Sequence, residues 1–164
     1  MALQSKMTVY AALVGVFALM GGIFYYGNLD TAKIEQVEIE LINVELREVS
    51  TTDNQVKFDV TFLVKNPSDT TFTVPLIEYQ LYGDGVLLGS AQYSTFDIAM
   101  PGRAAFFPGN ELPLKNIFVL EKTEVNSEIY QDAIENRITS FSAEGSITAQ
   151  STWMTIEKEF KIEI

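Results

Sequence analysis

Residues Met7 to Tyr26 read MTVYAALVGVFALMGGIFYY, twenty consecutive residues without a charged side chain. A helix of that length just covers the hydrocarbon core of a bilayer, about 30 Å at 1.5 Å per residue. The run is apolar all round rather than on one stripe, which argues against an amphipathic core helix. Tyr10 lies near one end, and Tyr25 and Tyr26 at the other, where interfacial tyrosines are expected. We read 7–26 as a single transmembrane helix. Gly15, Gly21 and Gly22 within it would let a neighbouring helix approach closely. A cleaved signal peptide fits less well, because the run is long and no small-residue cleavage pattern follows it.

Charge orients the helix. Lys6 is the only charged side chain before Asp30. The positive-inside bias then predicts residues 1–6 on the cytoplasmic side and the rest of the chain on the outer face. From Asp30 onward there are ten basic and 22 acidic side chains, a net −12. So negative a domain repels phosphate backbones and makes nucleic acid an unsuitable partner. The expected partners are the lipid bilayer and other transmembrane subunits. With no Cys and no His, the chain lacks a thiol nucleophile, an acylation cysteine and the commonest general base and metal ligand.

After a polar connector at 27–33, the pattern becomes that of strands. Val37, Ile39 and Leu41 share one face, then Ile42, Val44 and Leu46 take it over. That change of phase predicts a β-bulge near Leu41–Ile42. Val56, Phe58, Val60, Phe62 and Val64 alternate with polar residues, and only Leu63 departs from the pattern. Asn66-Pro67-Ser68-Asp69 ends this strand, since proline cannot donate to a central ladder. A short β-prone piece at Phe72–Val74 follows. Ile77, Tyr79 and Leu81 then lead into a Gly83-Asp84-Gly85 hairpin turn and the return Val86–Gly89. Further strands are expected at Tyr93–Ile98 and Leu112–Leu120, with turns at Pro101-Gly102-Arg103 and Pro108-Gly109-Asn110. Residues Thr123–Ile138 switch to helical spacing through Val125, Ile129, Ala133, Ile134 and Ile138, with Thr123 as N-cap. Two closing strands alternate through Phe141–Ala149 and Met154–Ile164. Lys158 falls in an inward slot there, which marks an edge. Trp153 is read as core.

About seven strands and one late amphipathic helix predict a mainly β, antiparallel sandwich of immunoglobulin or fibronectin-III type over 34–164. The order of elements resembles the type-2 late-embryogenesis-abundant family, the LEA14-like or water-stress-and-hypersensitive-response domain. The residues carrying the resemblance are the strand into Asn66-Pro67, then Tyr79, Tyr82, Gly83, Gly85 and Gly89. The resemblance implies a membrane-anchored, non-catalytic domain protecting against water stress, and it extends from Ile34 to Ile164.

Other chemistry fits the sequence poorly. Gly83-x-Gly85-x-x-x-Gly89 is mis-spaced for a dinucleotide loop and is flanked by strands on both sides. Carboxylates are numerous but fall on outward strand positions, so a glycosidase pair is not indicated. Asn66, Ser68 and Asp69 offer three oxygens but no calcium-loop pattern. The expectation is no enzyme, no cofactor and no metal. The competing expectation is an accessory subunit of a larger membrane complex, and a more distant one is a pilin-like filament subunit.

Overall fold

Strand β2, Gln55–Lys65, follows directly from its sequence. Val56, Phe58, Val60, Phe62 and Val64 are all buried, and between them Lys57, Asp59, Leu63 and Lys65 remain partly exposed. Only Thr61 adds a polar residue to the buried set. The computed structural model describes residues 2–95, 104–152 and 154–164, with backbone alone at 2–5 and 28–31. Helix α1 spans Ala2–Ile34. It is followed by β1 (Glu38–Ser50), β2, β3 (Phe72–Gly83), β4 (Val86–Ser94), β5 (Ala105–Phe106) and β6 (Glu111–Glu121). Helix α2 (Ser127–Ile134), β7 (Phe141–Gln150) and β8 (Thr155–Glu163) complete the chain.

All pairings are antiparallel, in two sheets. One has the order β1-β2-β6; the other has β4-β3-β7-β8, with β5 on the end of β3. The inner faces meet over an aromatic centre. Phe62 meets Tyr79 edge-on at 4.9 Å between centroids and Phe160 at 6.1 Å, and Phe118 lies 6.5 Å from both Phe58 and Tyr79. The fold is the expected antiparallel sandwich, preceded by one helix apolar enough to cross a membrane.

The expected bulge is present: the β1–β2 register slips between Leu41 and Asn43. This leaves Ile42 exposed and keeps Leu41 inside. Four details differ from the sequence reading. Phe72–Val74 and Ile77–Leu81 are one strand, not two. Pro75 falls where the β3–β7 register shifts, so its missing N–H breaks the ladder without ending the strand.

The late helix is shorter than 123–138. Thr123 does not cap it. Instead the Thr123 N–H donates to Asn126 Oδ1 and the Asn126 N–H to Thr123 Oγ1, a side-chain turn that competes with helix. Val125 therefore stands 98% exposed. At the other end Asn136 takes φ 52°, and the Arg137 N–H reaches back to Asp132 O, closing the helix with a left-handed cap before Ile138.

The connector at 27–33 is helical, so α1 is longer than its apolar run at both ends. The strands number eight among the described residues, once two-residue β5 is counted. Tyr93 and Ser94 belong to β4. Thr95 is already a turn residue, and Phe96–Ile98, the Pro101-Gly102-Arg103 turn and Trp153 lie outside the described residues.

Candidate functional site: the joint between helix and sandwich

The last turn of α1 is built into the sandwich. Ile34 is fully buried and Val37 nearly so, and both belong to the central core cluster. The turn between them closes with the Val37 N–H donating to Ile34 O at 3.0 Å. Lys158 of edge strand β8 then reaches across. Its Nζ donates to Val37 O at 2.6 Å and to Glu35 O at 3.1 Å. Both carbonyls lie in the turn that leads from α1 into β1, so Lys158 satisfies acceptors just past the helix end and places a cation near the negative end of the helix dipole. The inward lysine expected at an edge thus has a definite task. It bridges the gap between β8 and the start of β1, where the two sheets have open edges.

Asn66 organises the loops beside this joint. It is 1% exposed, and every polar atom of its side chain is used. Its Nδ2 donates to Thr70 O and to Phe106 O, both at 2.8 Å. Its Oδ1 accepts from the Ser68 N–H at 3.0 Å and from Ser68 Oγ at 2.7 Å. The Asn66 backbone pairs with the 107–110 turn: its N–H donates to Asn110 O, and its carbonyl accepts from the Gly109 N–H. Pro67, next to it, has no N–H to satisfy, which suits the point where the chain leaves the ladder. Phe72 and Phe106 stack beneath, with centroids 5.4 Å apart. Asp69, on the same loop, pairs with Lys33 of α1 at 2.9 Å. The Lys33 hydrogen bond holds the Asp69 carboxyl below its ordinary value. The three oxygens considered as a cation loop are thus spent within the fold: Asn66 and Ser68 on each other, Asp69 on Lys33.

The other motif residues lie elsewhere. Tyr79 is buried at the centre, where its hydroxyl accepts from Asn116 Nδ2 at 2.9 Å. Burial pushes its phenol up to about 12, and the Asn116 hydrogen bond opposes that only in part. Asn116 also donates to Gln92 O, so it bridges the β4 and β6 edges much as Lys158 bridges the opposite side. Tyr82 faces outward and donates to Gln80 Oε1 at 2.9 Å.

Gly83 ends β3 ahead of the β3–β4 turn at the far end of the sandwich, and Gly85 lies within that turn. Asp84 (φ 48°) and Gly85 (φ 81°) form its centre, the left-handed pair that a two-residue hairpin requires. Asp84 is held by the strand start opposite. Its carboxylate accepts from Thr139 Oγ1, the Thr139 N–H and the Ser140 N–H, and the Thr139 hydroxyl leads in lowering its pKa. Gly89 sits beside a bulge that turns Leu88 inward, at φ 153°, and a Cβ there would press on the Phe118 ring at 3.3 Å. The motif therefore gathers no single site. It marks one loop knot, one core tyrosine and one hairpin.

Gly15, Gly21 and Gly22 lie on a stretch of α1 that is exposed almost throughout, and a Cβ at any of them would meet nothing within 4 Å. A shallow trough of about 1030 Å³ lies on the outer face of β4-β3-β7-β8, lined by residues that include Glu78, Gln80, Gln92, Glu144, Ser146 and Glu159. Its carboxylates are solvated, and Glu144 is paired with Lys161 at 2.5 Å. Sequence reasoning missed the roles of Asn116 and Asp84. For Asp84, the Gly-Asp-Gly spacing was the available signal.

No family model matches the chain, and no curated relative does. Solved structures are similar in fold. One is a solution structure from Arabidopsis thaliana, 16% identical, with a TM-score of 0.51 over 77% of this chain and 80% of that one. A crystal structure from Archaeoglobus fulgidus is 19% identical, with a TM-score of 0.45 over 76% of this chain and 94% of that one. A solution structure assigned provisionally to the late-embryogenesis-abundant proteins is 14% identical, with a TM-score of 0.43 over 91% of this chain and 83% of that one.

Proposed function

We propose that the chain is a single-pass membrane protein holding a non-catalytic sandwich on the outer face, where it acts as a protective or interaction module under water stress. The observation that carries this reading is the α1 joint. An exposed helix with an apolar span enters the sandwich core at Ile34 with no flexible segment between. A helix so exposed and so apolar would be costly in water and is at home in lipid. The stress-related part rests on the resemblance carried by Asn66-Pro67 and the Tyr79–Gly89 segment. The non-catalytic part is supported by chemistry already spent. The buried polar side chains Asn66 and Ser68 and the core hydroxyl of Tyr79 are all bonded within the fold.

A second reading is favoured by Gly15, Gly21 and Gly22, which open the helix surface to close packing. In it, the chain is an accessory subunit of a larger membrane complex. One experiment separates the two. Membranes are solubilised gently and run on a native gel, and the band containing this chain is analysed by mass spectrometry. Migration near 18.3 kDa plus detergent supports the lone module. Deletion should then lower survival under osmotic stress, and unchanged survival would sink the protective role. Migration inside a large assembly makes it a subunit.

A further inference from the structure

We propose that the end of the sandwich nearest α1 rests on the bilayer surface, with Phe107 of the 107–110 turn as its lipid contact. The inference rests on the anchored reading above and adds which part of the domain touches lipid.

The β-strand registers define that end. Glu38 lies opposite Lys65, and Lys65 opposite Glu111, so the start of β1, the Asn66–Thr70 loop and the turn into β6 share one level. The 107–110 turn is tied to that level by the two backbone hydrogen bonds between Asn66 and the Asn110 and Gly109 peptides. Lys33 marks the same level on α1 through its pair with Asp69. The uncharged run ends at Tyr26 and the first acid is Asp30. Lys33 is therefore only about 5–10 Å along the helix axis from the hydrocarbon edge. The headgroup layer is itself roughly 5–8 Å deep on each side. A helical link, buried at Ile34 and latched by Lys158, gives the domain little freedom to lift away.

Phe106 is fully buried, whereas Phe107, the next residue, is 57% exposed, beside the exposed Pro108. Among the described residues of the sandwich, Phe107 is the one exposed aromatic. Offered to a headgroup layer, it sits where aromatic side chains partition well. The domain is net negative, so the contact must be apolar rather than a charge attraction to anionic lipid.

The sequence contains no cysteine, so a single one can be placed and labelled. Asn110→Cys puts an environment-sensitive nitrobenzoxadiazole probe next to Phe107, and Thr52→Cys puts it at the opposite end. Each full-length variant is reconstituted into phosphatidylcholine vesicles containing a fraction of spin-labelled phosphatidylcholine. Flotation of the vesicles reports the anchor independently. Quenching at 110 should exceed that at 52 by about twofold or more, with blue-shifted emission. Adding Phe107→Ser should bring the 110 probe down toward the level at 52, with an unchanged thermal melt. If the protein floats but 110 and 52 are quenched equally, or if Phe107→Ser changes nothing, the contact is wrong and the anchor stands. If the protein fails to float, the anchored reading fails and this inference falls with it.

Discussion

The two ends of the sandwich use the same loop chemistry in opposite surroundings. At the helix end, Asn66 ties its loop together through four side-chain hydrogen bonds at 1% exposure. At the far end, Asp84 holds the hairpin to Thr139 and Ser140 through comparable bonds, all in contact with water. The helices differ likewise. α1 enters the core and is latched by Lys158, whereas α2 lies over the end with Ile129, Tyr130 and Ala133 buried and Val125 left in solvent. Water can replace a broken bond at the far end but not in the buried knot. The helix end therefore has one arrangement available to it, and the far end can tolerate several.

The sharpest test of that contrast is Asn66→Ala. It orphans the Phe106 carbonyl and the Ser68 N–H in a dry loop, leaving the Ser68 hydroxyl only the Thr70 carbonyl, and should cost about 2–3 kcal/mol of stability. Denaturant unfolding of the full chain in detergent measures it; a loss as small as that of an exposed residue would break the comparison. Lys158→Met comes next. The methylene stem can still pack, but two carbonyls of the α1–β1 turn lose their donor, for an expected cost of about 1–2 kcal/mol. Limited proteolysis should show new cleavage close to Glu35–Val37. If cleavage rises instead at the far end, the latch has been misplaced.

What the sequence made legible follows from the range over which each signal acts. Period-two alternation gave β2, β7 and β8, because a strand with one buried face needs nothing beyond its neighbours to reveal itself. The bulge at Leu41 was visible because a one-residue slip must change which side chains face inward. The limits of α2 were not visible, because hydrophobic spacing says nothing of the Thr123–Asn126 turn that takes over the helix start. Phe72–Val74 and Ile77–Leu81 read as separate pieces, but β3 continues through Pro75 because β4, β5 and β7 hold the strand on both sides. For the candidate site, Asn66-Pro67 was legible as a strand stop and Lys158 as an edge residue. Their meeting at the α1 joint was not. Val37 and Lys158 are 121 residues apart, and no local pattern encodes such a contact.

Smaller effects should appear at the far end. Asp84 has its folded pKa below the ordinary carboxylate value, so its contribution is complete above the unfolded value of about 4 and is lost as pH falls toward the depressed one. Asp84→Asn should therefore flatten the acid limb of a stability-against-pH curve and alter the neutral melt less than Lys158→Met does. An unchanged acid limb would mean that the Thr139 and Ser140 bonds do not report on folding.

The smallest effect is expected at Lys33→Ala, although that residue lies at the helix end. Its pair with Asp69 is short, at 2.9 Å, yet the two side chains are 38% and 73% exposed. Water screens such pairs, and ordering two side chains offsets most of the attraction. The depressed Asp69 carboxyl gives the pair some stabilising sign above the ordinary carboxylate range, but salt should erase it. Melts of the variant and the parent should converge in high salt. If they remain apart, the pair is acting through the joint rather than through its own charge, and the helix end is more tightly coupled than Asn66 and Lys158 alone would make it.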